Sequence, residues 1–571
     1  MEYLKFKSQY DKFPKTRIDN HKAIRGYLDI CDKLNEIIKN NNIITFEFYP
    51  GVDSEEVLEN LISRLNVDRV INIEDYALPI EEIDQMIKRN LTDDRVFGLM
   101  SHFQIEEFYN LEKIEELKKS INKNEKTLIY GFGASQIKSD FLVYFDMARW
   151  EIQLRYRKGM PNWRCTNYHE DNLRKYKRGF FIEWRTADRL KKRVLKNADF
   201  YIDTNSKNDP KMITINALFD GLKKVSTSPF RLVPYFDPGV WGGQWMKEVC
   251  SLDPNAKNYA WSFDGVPEEN SIYLQFEDIN VEVPSINVVF FEPISLLGNK
   301  VHARFGTEFP IRFDFLDTME GGNLSLQVHP LTEYIQDQFG MHYTQDESYY
   351  ILDAKEDSCV YLGVKEGINK DELIEDLKKA QEGNHRFNDE KFINKFPAKK
   401  HDHFLIPAGT IHCSGKNTMV LEISATPYIF TFKLWDWDRL GLDGLPRPVH
   451  INHGEKVIQF DRDTKWVKEN LINNFKEMED GSTRTGLHER EFIETRRYFF
   501  NDRIKMNTMG SVNMNNLVEG QAAVIESING EFEPYVVHYA ETFIIPESIK
   551  EYYIRPLNKD ERCGVIKAYV R

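Results

Sequence analysis

The chain has 571 residues, 41% of them hydrophobic and 29% charged, with a formal net charge of −14. That length supports three or four domains with full cores, and the composition is that of an ordinary globular protein. The acidic excess argues against a general nucleic-acid binder, no apolar run approaches the roughly 18–20 residues of a membrane span, and Met1-Glu2-Tyr3-Leu4-Lys5 carries no signal-peptide pattern.

Residues 1–225 alternate strand-like and helix-like stretches. Asp19 is placed to cap a helix running to about Asn40, with Leu28, Cys31, Leu34 and Ile38 on one stripe. Strand candidates follow at 43–49, 69–74, 126–131, 141–146 and 198–203, with helical periodicity at 55–65, 80–89, 105–121 and 186–196. This alternation predicts a parallel sheet with βαβ crossovers. Phe48 to Glu56 lies between the first strand and a helix, the position of a P-loop, and the layout resembles a nucleoside-kinase-like fold. Against G-x-x-x-x-G-K-[ST] the four defining positions hold Phe48, Asp53, Ser54 and Glu55. A phosphate cradle needs backbone N–H groups and a cation, whereas Asp53, Glu55 and Glu56 repel an anion, so no ATP chemistry is expected. A basic run from Arg155 to Arg193 reads as a solvated helical face, or as a remnant of the lid that closes over phosphates in such folds.

Residues 226–571 carry short alternating strands and turn signals, with one helical excursion at about 368–396. In Gln327-Val328-His329 the two polar side chains are two apart and share one face of a strand. Glu347 follows in a second strand, and Pro407-x-Gly409 forms a tight turn that presents His412. Two imidazoles, a carboxylate and an amide suit Zn²⁺ with an open position, so Gln327, His329, Glu347 and His412 are the candidate metal ligands. Glu422 sits in an apolar strand, where burial raises a carboxyl pKa; it reads equally as a proton-transfer group and as a support for a ligand. Trp435 and Trp437 read as core aromatics. From about 488 a further set of strands ends in Pro546-Glu547-Ser548, which lacks the glycine and the following histidine and is expected to be metal-free. Cysteines 31, 165, 250, 359, 413 and 563 form no C-x-x-C pair and read as free thiols in a reducing cytosol, so a cytoplasmic location is expected.

The order and wording of these segments resemble class I mannose-6-phosphate isomerase, a zinc-dependent cupin family. The resemblance runs over about residues 228–571, through Trp241-Gly242-Gly243, Phe315-Leu316-Asp317, the Gln-Val-His-Pro run, Tyr350-Ile351-Leu352-Asp353-Ala354, Ile406-Pro407-Ala408-Gly409-Thr410-Ile411-His412 and Trp437-Asp438-Arg439. It implies zinc on His329, Glu347 and His412, with Gln327 at or near the fourth position. It also implies interconversion of mannose 6-phosphate and fructose 6-phosphate through an enediol. Two residues depart from the family pattern: Gln345 stands where the family has Lys, and Lys433 where it has an active-site Arg. Lys433, Glu422 and Arg439 are the candidate catalytic residues, Lys433 for the enediolate charge and Arg439 (with Arg447 and Lys416) for the phosphate. Asp436 and a metal-bound water are alternative bases. The two exchanges leave open a second reading, a non-catalytic sugar-phosphate-binding protein that retains the metal pocket. The expected organisation is multidomain: an α/β kinase-like domain at 1–225, a zinc-binding cupin (jelly-roll) core at 226–485 and a cupin-like barrel at 486–571. The expected partner is a small sugar phosphate, with neither nucleic acid nor membrane.

Overall fold

The structure, a computed structural model, describes residues 3–122, 124–383, 385–425, 428 and 430–571. The chain divides into two compact units. One comprises Lys15–Val225 and Ser271–Phe291; the other comprises Met1–Pro14, Ser226–Asn270 and Glu292–Arg571. The division is therefore not a simple cut at 225/226. Residues Lys15–Arg17 pair in parallel with Ser271–Phe276, which pairs antiparallel with Ile279–Pro284, and these backbone bonds draw a segment from beyond 270 into the first unit.

The first unit is α/β. Strands Arg69–Asn72, Thr127–Gly131, Ile43–Phe48, Phe141–Asp146 and Phe200–Asp203 lie side by side in that order and run parallel. Lys211–Thr214 then joins antiparallel. With Ile43–Phe48 central and the chain winding first to one side and then to the other, the carboxyl ends flanking that strand form a topological switch point. The first helix spans Tyr27–Ile38 rather than starting at Asp19, because Ile24–Arg25 pairs with Lys211 and Met212 and holds the chain extended up to Gly26. Ile30, Cys31, Leu34 and Ile38 face the core, whereas Leu28 of the expected stripe is exposed. The stretch expected as one helix at 105–121 is a short turn at Ile105–Phe108 and a helix at Leu111–Ser120, capped by the Asn110 side chain.

The second unit is β-rich and contains two pairs of sheets. In the first pair, one sheet has the order His403–Ile406, Asp346–Ala354, Thr418–Ala425, Arg312–Asp317, Trp261–Gly265, Tyr235–Asp237. Its companion has the order Ile393–Pro397, Cys359–Val364, His412–Ser414, Leu326–Val328, Phe432–Trp435. The helical excursion is shorter than the sequence suggests. It comprises Lys370–Gln381 and Asp389–Phe392, after which 393–396 become strand because they complete the edge beside Cys359–Val364. The second pair of sheets lies between Lys476 and Val570, and its interior is filled by Leu517, Ile525, Phe543, Ile545, Tyr552, Ile554 and Val565. No helix among the described residues is long and apolar enough to cross a membrane, and all six cysteines are free.

Candidate metal centre

The donors converge from opposite sheets of the first pair. Glu347 opens the strand Asp346–Ala354, while Gln327 and His412 belong to the companion sheet and pair directly with each other; His329 follows one residue after the strand Leu326–Val328. Ligand atoms of His329, Glu347 and His412 all lie within 4.8 Å of one another, and all three side chains are fully buried. Glu347 Oε2 is 3.0 Å from His329 Nε2, and its Oε1 is 2.7 Å from His412 Nε2. The Gln327 amide nitrogen is 3.2 Å from His412 Nε2, and rotating that amide turns its carbonyl oxygen to the same point.

Hydrogen bonds behind the rings fix how they present themselves. His329 Nδ1 donates to the Phe430 carbonyl at 2.9 Å, and His412 Nδ1 donates to the Thr410 carbonyl at 2.9 Å. Each ring therefore turns an Nε2 lone pair toward Glu347, an arrangement that suits a metal ligand. His329 Nε2 and Glu347 Oε1 are buried without an aligned hydrogen-bond partner. Lone pairs and a carboxylate crowded into a dry space call for a cation, and the donor set fits Zn²⁺. Burial opposes charge at Glu347, but positive charge at His329 and His412 outweighs it and holds the carboxyl well below its usual range, and a metal held there would supply that charge.

The turn before His412 explains its orientation. Gly409 has φ 87°, and a Cβ there would lie 2.6 Å from Gln459 Cγ and 2.9 Å from the Val457 carbonyl, so only glycine fits. Gly409 N–H donates to the His329 carbonyl at 2.9 Å, tying the two ligand segments together. Thr410 closes the turn through its N–H and hydroxyl to the Pro407 carbonyl, which sets the carbonyl that orients His412.

Gln345 donates its amide N–H to Glu347 Oε2 at 2.9 Å. Lys433 is half-buried directly opposite Gln327 and so shares its face. Glu422 lies on the strand beside Glu347's, paired with Tyr349 and Asp314. Burial, then Glu347 and Asp314, push its pKa well above the usual carboxyl value, against Arg312 and Ser424. Arg439 is drawn onto Asp436 (Nη2–Oδ1 2.6 Å), which also takes Arg447 at 2.8 Å. Lys416 pairs with Asp357 on the surface, 3.1 Å apart. Trp435 is buried, its ring 4.3 Å from that of Trp437. Sequence reasoning did not single out Arg312 and Asp314; polar residues alternating with apolar ones in Arg312-Phe313-Asp314-Phe315 were the available signal.

In the α/β unit, the features that suggested an anion site are used internally. At the P-loop position Asp53 caps the helix Ser54–Asn60 by accepting from Glu56 N–H. Arg155 donates to the carbonyls of Gly51 (3.1 Å) and Thr204 (2.8 Å), and a Cβ at Gly51 would lie 2.7 Å from Ile152. The glycine turn after Thr127–Gly131 offers consecutive N–H groups, but Glu47 takes those of Gly133 and Ser135 at 2.7 Å and Glu74 takes that of Phe132. The basic run is neither a wholly solvated face nor an open lid. Lys191 pairs with Asp146, Arg178 with Glu183 and Asp84, and Lys175 donates to the carbonyls of Met160 and Tyr168.

Comparison with known proteins adds the following. Residues 26–227 match a family described as a domain of unknown function (DUF8485). The chain is 24% identical to mannose-6-phosphate isomerase ManA of Bacillus subtilis over 241 residues, 41% of this chain and 69% of that protein. It is 24% identical to mannose-6-phosphate isomerase of Streptococcus mutans serotype c over 315 residues, 55% of this chain and 90% of that protein. The solved mannose 6-phosphate isomerase structure from Bacillus subtilis aligns with a TM-score of 0.49 at 19% identity, covering 60% of this chain and all of that one.

Proposed function

We propose that this chain is a zinc-dependent aldose–ketose isomerase with a cupin-type core that interconverts mannose 6-phosphate and fructose 6-phosphate. The observation that carries the reading is the enclosed set His329, Glu347, His412 and Gln327, with Glu422 on the same interior face as Glu347 and Lys433 on that of Gln327. Similarity to curated mannose-6-phosphate isomerases over the same part of the chain supports the substrate class.

Zinc, when bound, supplies a Lewis acid for the carbonyl and hydroxyl oxygens at the reacting end of the sugar. The protein must move a proton between C1 and C2 and stabilise the enediolate between them. Glu422 is proposed to carry the proton, since burial favours its neutral form and narrows the gap to the weakly acidic C–H. Lys433 is proposed to neutralise the developing oxyanion. Arg439 and Arg447, two guanidinium groups on the single carboxylate of Asp436, leave a net positive charge for the phosphate. Gln345 holds Glu347 in its ligating orientation without a charge of its own. A coupled assay on zinc-loaded protein with aldose phosphates differing at C2 and C4 tests the reading. Turnover of mannose 6-phosphate supports it, and none at full zinc occupancy would falsify it.

The α/β unit is proposed to be a kinase-like fold without ATP chemistry. Its strand order, its capped helix and its internally paired cations support that view.

A further inference from the structure

Beyond the candidate metal donors, the interior between the first pair of sheets holds a polar pair, Arg312 and Asp314, that the isomerase reading does not use. Three adjacent strands bring it there. Ser424 pairs with Glu347 on one side and Arg312 on the other, and two residues along, Glu422 pairs with Tyr349 and Asp314. Paired residues share a face, so Arg312, Asp314, Glu422 and the ligand Glu347 all point into the space between the sheets. One step further the same face turns apolar, with Leu316, Val420 and Ile351.

Arg312 and Asp314 are not a satisfied ion pair. Arg312 Nη2 is 3.7 Å from Asp314 Oδ2, beyond hydrogen-bond length, and Arg312 Nε and Asp314 Oδ1 are buried with no hydrogen-bond partner. Each residue keeps 6% of its surface open, and Glu422 keeps 8%. Unmade hydrogen bonds on a buried guanidinium and carboxyl are costly, and they call for a partner that the folded chain does not supply. We infer that Arg312 and Asp314, with Glu422 beside them, form a subsite that reads a vicinal diol of the open-chain sugar.

Charge decides between a diol and the phosphate. Asp314 and Glu269 already act on the single Arg312 guanidinium, with the buried Glu422 beside them, so no surplus positive charge is left there to hold a dianion. A hydroxyl both donates and accepts, so neighbouring hydroxyls can accept from the guanidinium and donate to the Asp314 carboxyl. Reach agrees: at ~4.8 Å per strand, Arg312 and Asp314 stand about 10 Å from the strand of Glu347, the span of a hexose chain extending past its metal-held end. The assignment rests on the isomerase reading for which end of the sugar the metal holds.

The test uses the full zinc-loaded chain and two probes that cannot isomerise, D-mannitol 1-phosphate and its 3,4-dideoxy analogue, measured by calorimetry. The wild type should bind the hexitol phosphate at least ~100-fold more tightly than the dideoxy compound, as sites built to hydrogen-bond a hydroxyl do. Arg312→Met and Asp314→Asn should each shrink that ratio to below about 10-fold, with zinc still bound and affinity for the dideoxy probe little changed. Arg312→Lys, which keeps the charge and loses the planar fork, should fall between. Equal wild-type affinity for the two probes, or a full ratio in both Arg312→Met and Asp314→Asn, overturns the subsite. Discrimination without turnover sinks the isomerase reading and leaves the subsite standing; turnover without discrimination does the reverse. Failure of the zinc-loaded wild type to bind either probe overturns both.

Discussion

The Thr410 carbonyl accepts the Nδ1 proton of His412 at 2.9 Å, so the turn that presents this imidazole also sets its tautomer. Because the turn is locked by Gly409 and tied to the His329 backbone, the two imidazoles are positioned by one piece of local structure. Glu347 arrives independently from the opposite sheet, and the site exists only when the two sheets close.

Removing His329 and His412 together by alanine substitution should abolish zinc binding, because one carboxylate and an amide do not hold the ion. Metal analysis of the purified double variant should find no stoichiometric zinc; full occupancy would mean the ion sits elsewhere.

Gln345→Leu deletes the donor to Glu347 Oε2 while keeping the side chain's bulk. Supports of this kind typically contribute about 10- to 100-fold in metal affinity, so a chelator competition should show a loss of that order with circular dichroism unchanged. An unaltered affinity would reduce Gln345 to a packing residue.

Lys433→Ala should lower kcat by about two to three orders of magnitude and move KM much less, because the interaction strengthens only as charge develops. Lys433→Arg should retain most activity, and zinc content should be unchanged in both. An active Lys433→Ala protein would transfer the role to another cation.

Mg-ATP should not bind. Calorimetry is the direct check, and a micromolar dissociation constant abolished by mutating residues 50–56 would restore a nucleotide site to the α/β unit.

Lys567 is fully buried in the second pair of sheets, its amine bonded to the Asn507 carbonyl, and burial pushes its pKa down to about 7. Unfolded lysine titrates near 10.4, so between about pH 7 and 10 the unfolded chain binds more protons and stability contributed here rises with pH. Lys567→Met should therefore gain most over the wild type at or below neutral pH, and that advantage should shrink as pH approaches 10. Melting temperatures at pH 6.5 and 9.5 decide it; a constant difference would show that the amine titrates normally.

Much of the architecture was legible locally. The parallel strands of the α/β unit fall within a few residues of their apolar runs, because a strand buried on both faces must be continuously apolar. The candidate metal donors were legible for a related reason: the spacing in Gln327-Val328-His329 and the Pro407-x-Gly409 turn each fix a direction within a few residues. The start of the first helix was not legible, because Asp19 is a competent cap taken alone and only the distant strand Lys211–Thr214 holds residues 24–25 extended.

By itself, then, the sequence determined the donor chemistry and the alternation of strand and helix, both of which are written at short range. The tertiary structure decided what long-range pairing alone can decide. It brought Glu347 between His329 and His412, set the Gln345 amide against Glu347, and turned Arg312 and Asp314 inward beside Glu422. It also decided the fate of the basic run, whose cations Lys175, Arg178 and Lys191 are buried against partners far away in the sequence or on backbone carbonyls. Charge density is visible in a sequence, but whether a charge meets solvent, a ligand or its own chain depends on which surfaces close over it.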